Sequence, residues 1–260
     1  MLLKDQIAVI TGGGRGIGRE IALAYAKAGA NVVLAARSQD ALVATKTEIE
    51  QLGQQALAVP TDITDEASVQ NLVETTLSHF GRVDCLVNNS GIAGPITPLW
   101  QVDPAAWQQT FAVNVFGTFL CCQAFLPSML KAKRGSIIVI GSMTGKRPLP
   151  NRSTYTSSKM ALIGLVRTLA WETWSHNIRV NLISPGVVDG ERIEATIQKH
   201  ADAQGITPDE ARHQFTAPYP PHDRFIPAED VAKAAVFLAS DMAASITGDD
   251  LNVSAGVVTY

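Results

Sequence analysis

The sequence predicts an α/β protein with a doubly wound parallel sheet, and three observations support this fold class. Short apolar, β-branched runs alternate along the chain with longer segments of helical periodicity. Most of these short runs are apolar throughout, as expected of parallel strands covered on both faces. The chain has 260 residues and is 46% hydrophobic, which is enough for one large core. We therefore expect a single domain over residues 1–260, with about seven strands flanked by helices.

The strand and helix candidates follow one another in a regular order. The strand candidates are rich in aliphatic residues and lie at 7–11, 31–36, 56–60, 85–89, 136–141, 178–184 and 250–254. The helix candidates lie between them, near 17–28, 39–51, 65–79, 103–132 and 154–175. A strand followed by a helix, repeated along the chain, is typical of parallel strands joined by crossover helices. No internal repeat, low-complexity tract or linker divides the chain.

The segment 187–227 differs from the rest of the chain because it is polar and follows the sixth strand candidate. Ligands of open α/β sheets bind beyond the carboxyl ends of the strands, so a long excursion there is a candidate lid over a substrate. Two short helices fit inside it, and the second has Thr207 as its N-cap and Pro208 at its first helical position. The stretch "APYPPHDRF" adds aromatic and apolar surface, which suits a partly hydrophobic substrate.

Composition argues against several classes of partner. The formal net charge is −3 and no basic stripe is present, so we expect no nucleic-acid ligand. The three cysteines, Cys85, Cys121 and Cys122, have neither the spacing of a disulfide framework nor that of a metal site. The N-terminal segment lacks the long apolar region and cleavage site of a signal peptide. We therefore expect a cytoplasmic protein with reduced thiols and no bound metal.

One long apolar stretch, residues 111–130, carries no charged side chain and is long enough to span a bilayer. However, Asn114, Gln123 and Pro127 interrupt it, and Lys131 follows at once. A helix that is apolar all round can also be buried on every side by protein. We favour a buried helix that also packs against a second subunit, and we expect no membrane partner.

A glycine-rich turn, "TGGGRGIG", joins the first strand candidate to the first helix candidate. The common fingerprint G-x-G-x-x-G does not fit it, whereas T-G-x-x-x-G-x-G does, with Thr11, Gly12, Gly16 and Gly18. Glycines allow a sharp turn and a close approach to a pyrophosphate, and the helix N-terminus offers free N–H groups and a partial positive charge. An ordinary glycine-rich turn is the alternative, but the position between a strand and a helix favours a dinucleotide site.

The end of the second strand candidate indicates which dinucleotide binds. In NAD-binding proteins an acidic residue there takes the ribose 2′-hydroxyl. Here the strand ends in "LAARS", with Arg37 and no carboxylate. A guanidinium suits a 2′-phosphate, and Arg15 in the glycine turn is placed to flank the same phosphate. Two solvated arginines are the alternative. Together these features favour NADP (NADPH), with NAD still possible.

Tyr155 and Lys159 lie four residues apart in a predicted helix, which places their Cβ atoms about 5–6 Å apart on one face. Taken alone, such a pair usually lies on the solvent-exposed face of a helix and has no function. A free tyrosine has a pKa of about 10, and an ammonium within about 4–6 Å lowers that pKa. The pair therefore has the chemistry of a general acid/base that works near neutral pH.

Further motifs follow the glycine turn: "TDIT" with Asp62, "NNSG" at 88–91 and "SPG" at 184–186. Together with the Tyr155 and Lys159 pair, these motifs resemble the small one-domain branch of the short-chain dehydrogenase/reductase family. The resemblance runs from Thr11 to the terminal "GDDLNVSAG" and includes members such as 3-oxoacyl-carrier-protein reductases. It implies a Rossmann-type sheet that binds a nicotinamide dinucleotide.

The resemblance also implies roles for individual residues. Asn114, Ser142, Tyr155 and Lys159 fall where the catalytic four of the family fall. Tyr155 would be the general acid/base, Ser142 would hydrogen-bond the substrate oxygen, and Lys159 would hold the nicotinamide ribose. Asn114 would hold a water that links Lys159 to solvent, although an asparagine that faces solvent is the alternative. The motifs and the resemblance together give the candidate cofactor contacts Gly12, Arg15, Gly16, Ile17, Gly18, Arg37, Asp62, Ile63, Asn89, Gly91, Tyr155, Lys159, Pro185, Gly186 and Val188.

Two positions depart from the family pattern. Ser90 replaces the alanine of the usual N-N-A-G turn, which is a small change. Gly190 stands where the family often has a threonine whose hydroxyl binds the nicotinamide carboxamide. The side-chain contact is therefore in doubt, and we expect the backbone of Val188 to bind the carboxamide instead.

Three functional hypotheses follow. The first is an NADPH-dependent carbonyl reductase, or the reverse alcohol dehydrogenase, with a small-molecule ketone or secondary alcohol as its substrate. The second is an NAD-dependent dehydrogenase of a polyol or cyclic alcohol. The third is a dinucleotide-binding redox sensor without turnover. The helices near 103–132 and 154–175, the latter with Trp171 and Trp174, offer more apolar surface than one sheet covers, which indicates a homotetramer or a dimer.

Overall fold

The computed structural model describes residues 1–216 and 225–260, and its strands form a seven-stranded parallel sheet. The strands are β1 (Ile7–Thr11), β2 (Asn31–Ala36), β3 (Ala56–Pro60), β4 (Cys85–Asn88), β5 (Gly135–Ile140), β6 (Ile178–Pro185) and β7 (Asp250–Val253). Their order in the sheet is β3-β2-β1-β4-β5-β6-β7. The order reverses between β1 and β4, so a ligand-binding crevice is expected at their carboxyl ends. The predicted doubly wound sheet is confirmed, and each strand lies within one residue of its expected bounds.

Helices cover both faces of the sheet. They are α1 (Gly16–Lys27), α2 (Gln39–Gln51), α3 (Glu66–Phe80), α4 (Pro104–Phe111), α5 (Gly117–Ala132), α6 (Ser153–Thr173), α7 (Glu191–Gln204), α8 (Pro208–Thr216) and α9 (Ala228–Ala239). Alternate residues of each strand point to opposite faces, so each strand feeds two cores. One core lies under α1, α2 and α9, and the other lies under α3, α5 and α6.

Sequence patterns did not predict α9. The segment "AEDVAKAAVFLA" follows Pro227 and carries Glu229 and Asp230 in its first turn, which are ordinary helix-start signals. The helix packs against α1 and buries Val231, Ala232 and Leu238, among others. It covers one face of the sheet together with α1 and α2.

The long apolar helix expected at 103–132 is present but is not uniform. A π-helical turn, Ala112–Phe116, joins α4 to α5, and Asn114 lies buried within it. By length and composition the whole stretch Pro104–Ala132 is apolar enough to cross a membrane, but 44% of its most apolar part is buried inside the fold. Phe125 and Met129 are completely buried in the core. This helix therefore packs against the sheet, as expected for a core helix.

The three cysteines are free and buried, as the sequence predicts. Burial raises the pKa of Cys85 and of Cys122 to about 12 and raises that of Cys121 well above its ordinary value. A thiol that stays protonated is a poor nucleophile and metal ligand. These side chains therefore act as small apolar core groups.

The segment after β6 contains the two expected short helices, α7 and α8. Thr207 caps α8, because its hydroxyl accepts a hydrogen bond from the amide of Glu210 at 3.2 Å. The Glu210 carboxylate accepts in return from the amide of Thr207 at 2.8 Å, which completes a capping box. The rest of the candidate lid, residues 217–224 with most of "APYPPHDRF", lies outside the described residues.

Candidate active site

The glycine turn lies at the switch point of the sheet, where β1 and β4 end side by side. The Thr11 hydroxyl accepts hydrogen bonds from the amides of Asn89 at 3.0 Å and Ser90 at 3.1 Å. The Asn89 side-chain amide donates to the carbonyls of Thr11 at 3.0 Å and Gly12 at 3.3 Å. These bonds join the ends of the two strands. Asn89, an expected cofactor contact, therefore directs its amide group at the glycine turn itself.

The turn depends on glycine at two positions for different reasons. Gly12 has φ +67°, a conformation that L residues rarely adopt. Gly18 lies so close to the Gly12 carbonyl and the Asn89 amide that an added Cβ would collide with both. The tight packing therefore brings the start of α1 directly under the turn.

The residues present fit a bound dinucleotide at this turn. Helix α1 begins at Gly16 with no side-chain cap at Arg15 and no acidic residue in its first turn. Its free N–H groups and positive dipole end therefore suit a pyrophosphate. Gly16 opens onto space in which no atom lies within 4 Å of an added Cβ. Ile17 is half-buried in the first turn of the same helix and packs against the core.

The expected adenosine contacts lie at the ends of β2 and β3. Arg37 is exposed beyond the end of β2, and Arg15 is exposed in the glycine turn. Hydrogen bonds from the Thr64 amide and hydroxyl hold the pKa of Asp62 below its usual range, and the charge of Arg37 adds to the effect. Ile63 is only 6% exposed and packs against Gly117 of α5, so its side chain faces the core.

Tyr155 and Lys159 lie in the first turns of α6, at the carboxyl end of β5. Lys159 is 5% exposed and donates from Nζ to the carbonyl of Ile140 at 2.8 Å. Its Nζ lies 5.8 Å from the centroid of the Tyr155 ring. Tyr155 is half-buried, and a second cation, the guanidinium of Arg152, lies 4.8 Å from the same centroid. The predicted one-face pairing of the phenol and the ammonium is present.

Asn114 is completely buried, so the interpretation as a solvent-facing asparagine is wrong. Its amide nitrogen donates to the carbonyl of Ile92 at 3.0 Å and to the hydroxyl of Ser158 at 2.9 Å. Its oxygen accepts from the amide of Ile92 at 2.8 Å. The π-helical turn thus aims this side chain at α6 and at the loop after β4, and π turns are frequent at functional sites.

Gly91, in the loop after β4, lies close to the side chains of both Asn114 and Lys159. A Cβ added there would lie 3.2 Å from the Asn114 side-chain oxygen and 3.5 Å from Lys159 Nζ. The bare backbone at this position therefore lets the loop after β4 pass close to both groups. Any side chain would fill the space next to the ammonium.

Ser142 starts the turn that follows β5. Its hydroxyl accepts a hydrogen bond from the amide of Thr144 at 3.1 Å, and it caps a short 3₁₀ turn, Met143–Gly145. The side chain is half-buried. It lies beyond the carboxyl end of β5, on the same edge of the sheet as Tyr155 and Lys159.

The segment expected beside the nicotinamide follows β6. Pro185 ends the strand, and the amide of Gly186 donates to the carbonyl of Val253 at 2.9 Å. Val188 forms a parallel bridge with Ile226 through the carbonyl of residue 187 and the amide of residue 189. In such a ladder the amide of the residue between them points to the other side. The Val188 amide therefore faces away from Ile226, which is compatible with the expected backbone contact.

Gly190 has a backbone reason to be glycine. Its φ is +137°, which a threonine rarely adopts, and it is the N-cap residue of α7. A threonine at this position would therefore be strained in the backbone conformation that this chain adopts.

Sequence patterns missed Ser158, which is completely buried between the expected site residues. Its hydroxyl donates to the carbonyl of Tyr155 at 2.8 Å and accepts from Asn114. A small polar residue three positions after Tyr155 in the helix is a weak signal, because serine is common at exposed helix positions. In the ranges 1–216 and 225–260, no group of three or more His, Cys, Asp or Glu side chains is placed to hold a metal ion.

Comparisons with known proteins agree with this geometry. The sequence profile of the family described as short chain dehydrogenase matches residues 6–201. The chain is 37% identical to a 3-oxoacyl-[acyl-carrier-protein] reductase of Synechocystis sp. over 99% of both chains. It is 36% identical to a sorbitol dehydrogenase of Cereibacter sphaeroides over 98% of both chains.

A solved structure is also similar, with a TM-score of 0.86 and 38% identity over 99% of this chain and 96% of that one. It is a 7α-hydroxysteroid dehydrogenase complexed with NADH and 7-oxo glycochenodeoxycholic acid. These relatives differ in substrate, but all are named as reductases or dehydrogenases. The chain therefore belongs to the short-chain dehydrogenase/reductase family and is an oxidoreductase acting on alcohol or ketone groups.

Proposed function

We propose that this protein is an NADPH-dependent carbonyl reductase, or the reverse secondary-alcohol dehydrogenase, acting on a small-molecule ketone/alcohol pair. The observation that carries the proposal is the placement of Tyr155 and Lys159 beside Ser142 at the edge of the sheet that holds the glycine turn. A phenol, a buried ammonium and a dinucleotide cradle on one edge are the components that carbonyl reduction requires.

A nicotinamide dinucleotide held at the glycine turn would supply the hydride that the carbonyl carbon accepts. Tyr155 gives the proton to the carbonyl oxygen, so that a C=O bond becomes CH–OH and the phenol becomes a phenolate. Solvent then returns a proton to Tyr155. The ammonium of Lys159 stabilises the phenolate, because an opposite charge at this range lowers the pKa of a phenol. The Ser142 hydroxyl donates a hydrogen bond to the substrate oxygen and keeps its own proton. This bond holds the oxygen within reach of Tyr155.

The proton path behind Lys159 is a further part of the proposal. Both side-chain N–H groups of Asn114 donate hydrogen bonds, to Ile92 and Ser158, and its oxygen accepts one from the amide of Ile92. Its role is therefore to hold the π turn and the loop after β4 against α6. We place the water that relays the proton next to Lys159, in the space that Gly91 keeps free of a side chain.

The preference for NADPH rests on Arg37 and Arg15. Both guanidinium groups are exposed on the adenosine side of the glycine turn, and β2 ends without a carboxylate. Two cations suit a 2′-phosphate better than a 2′-hydroxyl. Asp62 partly offsets the charge of Arg37, and the similar hydroxysteroid dehydrogenase holds NADH. An NAD-dependent dehydrogenase of a polyol or cyclic alcohol is therefore the second candidate.

The experiment is a panel of ketones, cyclic ketones and keto-sugars with NADPH and NADH in parallel, followed by nicotinamide absorbance. Oxidation of NADPH by a ketone supports the first candidate, and selective oxidation of NADH supports the second. Tight dinucleotide binding without turnover on the whole panel would favour a redox sensor and contradict the proposal. The reverse reaction with the matching alcohols and the oxidised dinucleotides completes the set.

We also propose a homotetramer that works in the cytoplasm. Large apolar side chains are exposed in the single chain at the end of the π-helical turn, on α5, on α6 and just beyond α6: Phe116, Phe119, Met160, Trp171 and Trp174. Exposed apolar patches of this kind usually mark subunit contacts. Sedimentation velocity should give a mass close to four chains, and a monomer would contradict the assembly. The buried, protonated thiols are compatible with a reducing compartment.

A further inference from the structure

A buried ion pair joins the turn after β5 to the edge strand β7. Lys146 Nζ lies 3.0 Å from Asp250 Oδ2, and the two side chains are only 8% and 6% exposed. Lys146 Nζ also donates to Asn252 Oδ1 at 2.8 Å and to the carbonyl of Asp250 at 3.2 Å. Two oxygens thus accept hydrogen bonds from this ammonium, and the Asp250 carboxylate adds the attraction of its opposite charge. The ammonium is therefore held in one defined position.

The Asp250 carboxylate also contacts β6, the strand that leads to the segment expected beside the nicotinamide. Ser184 Oγ donates to Asp250 Oδ1 at 2.7 Å. In the parallel pairing of β6 with β7, Ser184 lies opposite Asn252. Residues 184, 250 and 252 therefore share one face of the sheet. Asp250 thus connects Lys146 to the strand end that continues into Pro185 and Gly186.

Lys146 also closes the turn that Ser142 opens. The amide of Gly145 donates to the carbonyl of Ser142, and the amide of Lys146 donates to the carbonyl of Met143, both at 3.0 Å. A Cβ added to Gly145 would lie 3.2 Å from the backbone carbon of Lys159. The turn therefore rests directly on the backbone of α6. Movement of Lys146 would displace Ser142 relative to the helix that carries Tyr155.

Stability alone is a weak reason for such a pair. The cost of desolvating two buried charges often matches their attraction, and apolar residues of similar volume often stabilise a fold as well or better. A pair of this kind instead fixes a position, because the ammonium must reach Asn252 Oδ1, the Asp250 carbonyl and the Asp250 carboxylate at once. Its effect is to hold the turn after β5 at a fixed distance from β6 and β7.

We propose that Lys146 and Asp250 are positioning residues for the reaction. They place the Ser142 hydroxyl and the segment 184–186 so that the substrate oxygen meets Tyr155 and the carbonyl carbon meets the nicotinamide. The inference rests on the proposed function, because it assumes that Ser142 binds the substrate oxygen. It adds two residues that touch neither substrate nor cofactor and act through the turn that they hold.

The test compares the wild-type enzyme with the double variant Lys146→Met/Asp250→Leu, which removes both charges at similar volume. We expect kcat to fall about 10-fold to 100-fold, since small misplacements of reacting groups cost this much. The dissociation constant of NADPH should change less than about twofold, because the glycine turn is untouched. The thermal midpoint should fall modestly, because the Ser184 hydroxyl and Asn252 Oδ1 lose their partners, so kcat is compared well below it. An unchanged kcat in the folded double variant would overturn the proposal.

Two further variants test whether kcat depends on the position of the turn and not on charge or on the loss of any ion pair. Lys146→Arg keeps the charge, but a larger planar guanidinium does not fit the place where the ammonium meets Asn252 and Asp250, so kcat should fall although the fold persists. Arg134→Met is the matched control. It removes an ion pair with the buried Asp84, whose Oδ1 lies 3.1 Å from Arg134 Nη2. This pair lies at the amino ends of β4 and β5, whereas the candidate site lies at the carboxyl ends of the strands. This control should leave kcat unchanged even if it lowers the thermal midpoint.

Amide hydrogen exchange gives a readout that needs no substrate. Exchange at residues 143–147 should be faster in Lys146→Met/Asp250→Leu than in the wild type, and unchanged in Arg134→Met. Unchanged exchange in the double variant would contradict the positioning role. A wild type that turns over no ketone would contradict the proposed function instead, and exchange would still decide whether the pair holds the turn.

Discussion

The two sides of the candidate site are built in different ways. The cofactor side consists of the glycine turn 11–18 with the ends of β2, β3 and β4, and its contacts are bonds from the Thr11 and Asn89 side chains to backbone groups and close approaches to glycines. The substrate side consists of the turn 142–147, the first turns of α6 and the segment 184–190. Its contacts are side-chain bonds between residues far apart in the chain, such as Asn114 with Ser158 and Lys146 with Asp250.

This difference explains what each side can tolerate. Backbone contacts with a dinucleotide do not depend on which side chains surround them, so the cofactor side is expected to be sensitive to any added Cβ. Side-chain contacts can be exchanged one at a time, so the substrate side can change its specificity without losing the cofactor. The relatives, which include a carrier-protein reductase and a sorbitol dehydrogenase, are named for different substrates.

The largest effect is expected on the substrate side, from Tyr155→Phe. The change removes the hydroxyl that transfers the proton and keeps the ring beside Arg152 and Lys159. We expect kcat to fall about 100-fold to 10,000-fold, the usual contribution of a positioned general acid/base. NADPH binding, measured by fluorescence titration, should be nearly unchanged. Strongly weakened binding would show that the two sides are not separable at this residue.

The opposite result is expected on the cofactor side, from Gly18→Ala. The new Cβ would collide with the Gly12 carbonyl and the Asn89 amide, so the turn must open. Overpacking of this kind costs about 1–3 kcal/mol, and dinucleotide affinity should fall about 10-fold or more. Isothermal titration with NADPH measures the loss. Gly164→Ala is the control, because a Cβ there meets no atom within 4 Å, and its affinity should match the wild type.

A smaller and selective effect is expected from Arg37→Asp, which exchanges a cation for the acid that NAD-binding proteins place at this strand end. A charge-assisted contact with a 2′-phosphate contributes about 1.5–3 kcal/mol. The ratio of kcat/KM for NADPH to that for NADH should therefore fall about 10-fold to 100-fold. An unchanged ratio would remove Arg37 from the phosphate site. Arg82→Asp would not serve as a control, because Arg82 is paired with the buried Asp84.

The smallest effect is a pH dependence of stability at Asp62. Its pKa is lowered in the folded state by the two Thr64 hydrogen bonds and then by Arg37. A carboxyl with a lowered pKa stabilises the fold above its unfolded pKa, about 4, and loses this contribution as the pH falls through the folded-state pKa. Asp62→Asn should therefore be less stable than the wild type near neutral pH, and the difference should shrink in acid.

Urea unfolding at a series of pH values measures this difference. Thr64→Val is the companion variant, because it removes the hydroxyl donor and keeps the amide donor. It should show part of the same pH dependence. A difference between wild type and Asp62→Asn that stays constant from neutral to acidic pH would contradict the role of the ionised carboxylate.

Most strands, the glycine turn and the pairing of Tyr155 with Lys159 were predictable because each depends on residues close in the sequence. Buried parallel strands are continuous apolar runs, and a helix places residues four apart on one face. Helix α9 was missed even though its start signals are ordinary. It lies after the long polar segment 187–227, which was interpreted as a lid, and its amphipathic pattern is as clear as that of α1.

The sequence by itself determined the fold class, the cofactor turn and the chemistry, because local spacing and composition carry all three. Only the tertiary structure decided that Asn114 is buried in a π turn against Ser158, and that Asn89 directs its amide at the glycine turn. It also decided that Lys146 meets Asp250, more than a hundred residues away in the chain. Such contacts follow from how strands are ordered in the sheet, and that order is set by the packing of both faces together.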